Sequence, residues 1–403
     1  MKRFRLHLSQ GAEWICAVVG VFLLASCANP STPAARVPYV FPPGPTAREF
    51  LLNDRFTELD QRFTAAQKAY ASGLATDTEL RVAIHEFYDP DPSLAPKYDE
   101  WVVRFPKSYV AHLGRGIYYS YVGYQRRGVL AVTDTTASDL TAADAAFGEA
   151  MRELTTSMGL DPRPLFSYAI AIFVAQEHAA SSESRHWLDQ ADTIDPTNYV
   201  ARARYMASIE TRWGGSQQIM QAFLEECRTA KLSEEHMRML ESVVVEDQGW
   251  VHQFVDHDYA AAESAYRKSR ELGGDPQWSN LAIVLWDQGK RQEVIETLTE
   301  GLKDHPGDAN LLTHRGAAYM KSGMPREGIA DLRAAAEAGS SNAQNDLGVY
   351  YMIGIPDVLP ADPNLGYQWL TKSAAQANQE GQQNLDAARQ PVSSESKSLV
   401  LSE

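Results

Sequence analysis

Apolar residues recur at three- and four-residue spacing along most of the chain. The stretches "AFGEAMRELTTSMGL" (146–160), "SQQIMQAFLEECRTA" (216–230) and "YAAAESAYRKSRELGG" (259–274) are representative. That spacing gathers apolar side chains on one face of a 3.6-residue helix, so each stretch predicts an amphipathic helix. Short clusters of Gly, Pro, Asp and Asn separate the helices, and no series of alternating β-branched runs is present to build a sheet. The pattern predicts an all-α fold.

The first 47 residues depart from this pattern. A cationic head, Lys2, Arg3 and Arg5, precedes an apolar run from Trp14 to Ala25. Twelve residues (14 to 25) are too few for a membrane span, which takes roughly 20, but they match a secretory signal core. The run ends at Leu24-Ala25-Ser26-Cys27. Residues 28–47 then hold six prolines, which favour an extended chain of about 3.1 Å per residue and predict a tether.

The punctuation between helices is periodic. Asp161-Pro162 and Asp195-Pro196 lie 34 residues apart (161 to 195), and Asp275, Asp308 and Ser341 recur about every 33. A period near 34 is that of a stacked helix pair, which predicts a helical-hairpin solenoid. Residues 275–306 resemble a tetratricopeptide repeat, with Trp278, Leu281, Ala282, Gly289, Leu298, Gly301 and Pro306 in place. The next unit is similar through Gly316, Tyr319, Gly323, Leu332 and Ala335. A third, with Leu347-Gly348, Tyr351, Gly354, Asp362, Trp369 and Ala374-Ala375, resembles the Sel1-like variant, whose helices are joined by a longer loop; Gly366 stands where that family usually has alanine. Asp362-Pro363 reads as a helix cap followed by a first-turn proline. A last helix, about 376–390, would close the stack.

The half before it is less regular and reads as divergent helix pairs. Residues 51–63, 109–128 and 204–223 together resemble a bacterial domain of unknown function, most specifically through the Arg-Trp-Gly-Gly-Ser stretch at 212–216. That resemblance implies no activity. The expected organisation is a signal segment (1–26), a modified Cys27 with its tether (27–47), a divergent helical domain (48–250), repeats (251–390) and a disordered tail (391–403).

Leu24-Ala25-Ser26-Cys27 resembles the bacterial lipobox, which implies lipid attachment at Cys27 and acyl chains in a bilayer. Each buried methylene of such chains contributes roughly 0.8 kcal/mol. By the same resemblance, Ala28 in place of Asp implies the periplasmic face of the outer membrane. Ser26-Cys27-Ala28 also fits an ordinary signal cut after Ala28, which would release the protein. Cysteine usage favours the lipid: Cys16 would leave with the signal, and Cys27 and Cys227 are too few for a disulfide framework. Cys227 is then expected as a buried thiol.

Charge narrows the partners. The chain carries −15, and losing Lys2, Arg3, Arg5 and Glu13 with the signal takes it to −17. Nucleic acid needs a basic face and is excluded as a partner; a basic protein is permitted.

Candidate chemistry is sparse. Arg-Trp-Gly-Gly-Ser lacks the Lys-Ser/Thr and preceding strand of a phosphate loop. It reads as a turn in which Gly214-Gly215 reverse the chain, Ser216 caps the next helix and Trp213 fills the corner. Residues 89–100 have calcium-loop spacing, but Leu94 occupies the glycine position and Asp91-Pro92 reads as a helix start. His252, Asp256, His257 and Asp258 cluster, yet two histidines five apart do not share a helix face. No HExxH or GxSxG occurs. The expectation is no cofactor, no metal and no catalytic residue. Tyr109, Tyr118, Tyr119, Tyr121 and Tyr124 read as knobs between helices.

One row of positions stands out. The tetratricopeptide resemblance implies that the twelfth residue of each first helix looks into a concave face. Counting from 275, 309 and 341, these residues are Trp286, Met320 and Met352. Large apolar side chains there would make an adaptable stripe for a peptide. The expected function is a lipid-anchored scaffold that binds a protein or peptide partner in the bacterial envelope. The alternatives are an immunity protein against a basic toxin and a hydrolase with a site in the N-terminal half.

Overall fold

The computed structural model describes residues 39–128, 136–178, 181–274, 277–376 and 378–389. The signal segment, Cys27, the tether up to residue 38, Asp275 and the tail from 390 lie outside the described residues. No β-strand forms among those described; one isolated bridge joins Ile355 and Leu359. None of their helices is long and apolar enough to cross a membrane.

The described chain divides into two compact units, 39–251 with 268–274, and 252–267 with 277–389. In chain order the α-helices begin with α1 Ala47–Leu52, α2 Phe56–Ala71, α3 Asp77–Ile84, α4 Ala95–Arg104, α5 Tyr109–Arg127, α6 Ala137–Met158, α7 Leu165–Glu177, α8 Ser181–Ile194, α9 Tyr199–Ser208, α10 Gln217–Thr229 and α11 Glu234–Phe254. Then follow α12 Tyr259–Glu271, α13 Trp278–Asp287, α14 Arg291–Asp304, α15 Ala309–Lys321, α16 Pro325–Glu337, α17 Ser341–Ile353, α18 Pro363–Ala375 and α19 Gln379–Arg389. The protein is all-α and built from helix hairpins.

Local chemistry sets the helix starts. Thr46 and Thr76 form reciprocal capping boxes with Glu49 and Glu79, each satisfying amides that the first turn leaves without partners. Asp308 caps α15, and Asp362 caps α18 ahead of Pro363. The expected boundary at Ser341 shifts by one residue. Gly339, at φ +101°, ends the preceding segment and leaves Ser340 extended, so its hydroxyl accepts from the Ala343 amide and Ser341 becomes the first helical residue. The two Asp-Pro corners are structural twins. Asp161 accepts from the Arg163 amide and Asp195 from the Thr197 amide, both at 2.8 Å, and the Arg163 guanidinium reaches Asp195 at 2.5 Å. The spacing of 34 therefore brackets one hairpin, α7 with α8.

The core of the first unit is aromatic. Trp101, Tyr98, Tyr118, Phe63, Phe87 and Phe147 are buried, with Tyr98 and Tyr118 stacked at 4.7 Å between centroids. Tyr109 is also buried, whereas Tyr119, Tyr121 and Tyr124 are half-buried. In the second unit, α15 crosses α16 at Gly316 and Gly328, and α17 crosses α18 at Gly348 and Gly366. A Cβ on Gly366 would come within 2.8 Å of the Gly348 carbonyl oxygen, and one on Gly328 within 2.9 Å of that of Gly316. Only glycine on both helices permits this approach, which accounts for Gly366 in place of alanine.

Candidate functional site

Trp286, Met320 and Met352 are each half-buried near the end of a first helix. The two methionines share one environment. Met320 Cγ and Sδ lie over Gly328, and those of Met352 over Gly366, so close that a Cβ on either glycine would approach them to 2.7 Å and 2.9 Å. The thioether fills the gap left by the absent side chain, a use that suits an unbranched, polarizable residue. Trp286 differs. Buried Val294 stands at the place matching Gly328, and the indole is covered by Arg291 at 3.5 Å and Lys321 at 5.1 Å from the ring centroid. Such cation–π contacts are worth roughly 0.5–1 kcal/mol where exposed. The row thus presents two methionines set over glycines and one tryptophan beneath two cations.

The corner at 211–217 is held by buried charge. Thr211–Trp213 form a 3₁₀ turn, Gly214 adopts φ +86°, and a Cβ on Gly215 would fall 1.8 Å from the Ile209 carbonyl oxygen. Ser216 caps α10 by accepting from the Ile219 amide at 3.3 Å. Arg212 turns inward, pairing with Glu210 and lying 3.6 Å from Glu246. Asp247 accepts from the Thr211 amide and hydroxyl at 2.8 and 2.7 Å, and from Gln217 at 2.5 Å. Burial pushes the Glu210 carboxyl up, and the Arg212 guanidinium opposes that rise. One expectation is corrected here: Trp213 does not fill the corner but is 37% exposed. With three residues per turn, adjacent side chains diverge, and the ion pairs of Arg212 occupy the inside.

Other candidates have structural roles. Asp91 caps the short helix Pro92–Leu94, as its Pro92 suggested, and shares Arg48 with Asp89. His252 bonds Asp256 at 2.9 Å, one helical turn away. No group of three or more His, Cys, Asp or Glu side chains among the described residues is placed to hold a metal ion. Cys227 is a buried thiol, raised by burial, with Arg202 at 3.5 Å opposing the rise. Burial likewise pushes the neighbouring Asp192 carboxyl up to about 6, against the pull of Arg202.

Two features carried no sequence signal. His112 bonds Glu153 at 2.5 Å and the Pro106 carbonyl at 3.2 Å, while Arg115 bridges Glu153 to Asp99. A cleft also opens among α3, α7 and α9. Both join residues distant along the chain, so neither leaves a local motif.

The helix pairs define a helical-repeat protein. It belongs to the family described as domain of unknown function DUF4034, which matches residues 45–176 and 171–247, together about half the chain and inclusive of the 212–216 corner. No curated protein matches the chain. Among solved structures it is similar to the APC/C hetero-tetramer Cut9–Hcn1, at 13% identity over 85% of this chain and 75% of that one, with a TM-score of 0.39. It is also similar to the P58(IPK) TPR domain, at 14% identity over 86% and 98%, with a TM-score of 0.26. These likenesses are loose, and the fold is read from the helix pairs themselves.

Proposed function

We propose that this protein is a lipid-anchored scaffold of the bacterial envelope that binds a protein or peptide partner without catalysing a reaction. The observation that carries this reading is the set of large apolar residues at one repeat position, Trp286, Met320 and Met352, each keeping part of its surface open. Stacked helix pairs offer an extended binding face more readily than a closed pocket. Methionine adapts to varied partners, and the cations over Trp286 would favour acidic residues beside the apolar ones. In this reading Cys27 carries the lipid and the segment after it tethers the protein to an outer-membrane surface that faces the periplasm. The expected tether 27–47 is shortened at its far end, because the Tyr39 amide bonds Glu79, Phe41 packs against Phe63 and Ala47 is buried in α1.

The anchor has a direct test. Metabolic labelling with a palmitate analogue should mark the wild-type chain and fail to mark Cys27→Ala, which should accumulate as precursor or appear as a released form. Equal labelling of the two chains would remove the anchor from this account.

A further inference from the structure

The cleft among α3, α7 and α9 leaves about 70 Å³ open to a water-sized sphere. The residues that α9 turns toward it, 199, 200, 203, 204 and 207, follow helical spacing and so share one face. Six lining side chains set its character: Asp77, Arg81, Tyr88, Ile170, Tyr199 and Arg204. The aromatic walls are braced from behind, Tyr88 by Tyr121 and Tyr199 by His236, each stacked at 4.4 Å between centroids.

Arg204 is the unusual member. Elsewhere in this unit Arg115, Arg127, Arg163, Arg202 and Arg212 each hold a carboxylate. Arg204 is half-buried, with its guanidinium 5.2 Å from the centroid of Phe173, and it makes no ion pair or hydrogen bond among the described residues. Glu177 and Glu210 feel its charge but do not bond it, so its N–H groups are left to water in the cleft, and a half-buried guanidinium gains from a direct carboxylate partner. Burial raises the Tyr88 phenol, while the charges of Arg204 and Arg81 both oppose that rise.

An anion of limited charge fits this arrangement. A phosphate dianion would meet apolar walls and the carboxylate of Asp77. A carboxylate on an apolar stem would meet Arg204 while its stem lay against Ile170 and the tyrosines. A polypeptide's last residue also presents an amide N–H one carbon from its carboxylate, which Asp77 can accept. An acidic side chain holds the two groups further apart. We propose that this cleft receives the C-terminal carboxylate and last apolar side chain of a partner polypeptide, with Arg204 as the carboxylate ligand. The site is separate from the row at Trp286, Met320 and Met352.

Saturation-transfer NMR on the full chain can test this with three probes: N-acetyl-leucine, its amide, and N-acetyl-glutamate α-amide, each at about 10 mM, enough to reveal a weak site. N-acetyl-leucine should bind and the other two should not. Arg204→Met should weaken binding at least about tenfold, the equivalent of one lost charge-assisted hydrogen bond. Ala207→Leu, which fills the cleft and keeps Arg204, should abolish binding with unchanged circular dichroism, so a folding defect in Arg204→Met would not obscure the result. Equal binding of the leucine amide, preference for the glutamate probe, no signal from any probe, or unchanged binding in Ala207→Leu would each overturn the proposal.

Discussion

At His112 two opposing effects meet. Burial pulls the imidazole down, but the hydrogen bonds to Glu153 and to the Pro106 carbonyl, with the Glu153 charge, outweigh it and leave the pKa raised. Burial pushes Glu153 up, and His112 with Arg115 brings it below its ordinary value. A raised histidine stabilises the fold fully below its unfolded pKa of about 6.5, and that contribution is lost as pH rises through the folded value. The stability gap between wild type and His112→Asn in urea should therefore shrink as the pH rises above about 6.5; a constant gap would refute the pairing. The 212–216 corner separates two neighbours. Arg212→Ala should cost about 3–5 kcal/mol, because it strands Glu210 and Glu246 in the interior. Trp213→Ala should cost less than Arg212→Ala in the same titration, since 37% of its surface is already open and its loss strands no buried charge. The turn itself was legible from its glycines and serine. The inward arginine was not, because Glu246 and Asp247, which close the corner around Arg212 and Glu210, come from a helix more than thirty residues away.

Glycines divide the helices into two kinds. Gly148 lies exposed within α6 with open space around its Cβ position, whereas a Cβ on Gly366 would meet the Gly348 carbonyl oxygen at 2.8 Å. Gly148→Ala should stabilise by about 0.5–1 kcal/mol through helix propensity. Gly366→Ala gains the same propensity but must push two helices apart, with a net cost of about 1–3 kcal/mol. Denaturant midpoints for the two variants should move in opposite directions; a shift in the same direction would show that the α17–α18 crossing is looser than described. Much of this level could be read from sequence. The helix predicted over 216–230 appears as α10 Gln217–Thr229, and the last, expected at about 376–390, as α19 Gln379–Arg389. The equivalence of the three row positions was only partly legible. Their register follows from the period, but their surroundings depend on whether the facing residue is glycine or Val294.

For the whole molecule, the proposed function rests on the acidic charge and the partly open row for recognition of another protein, and on the proposed lipid at Cys27 for its address. The all-α class was legible from the helical period. The cleft beside Arg204 was not, since α3, α7 and α9 come together only on folding. The central claim is that the first-helix row contacts a partner. Its most direct measurement is photocrosslinking in intact cells, with a photoreactive residue placed singly at Trp286, Met320 or Met352 and, as controls, at the exposed second-helix positions Glu296 or Glu337. The account predicts one shared partner captured from the three row positions and not from the two controls. The same capture from both sets, or none from the row in a chain that folds normally, would contradict it.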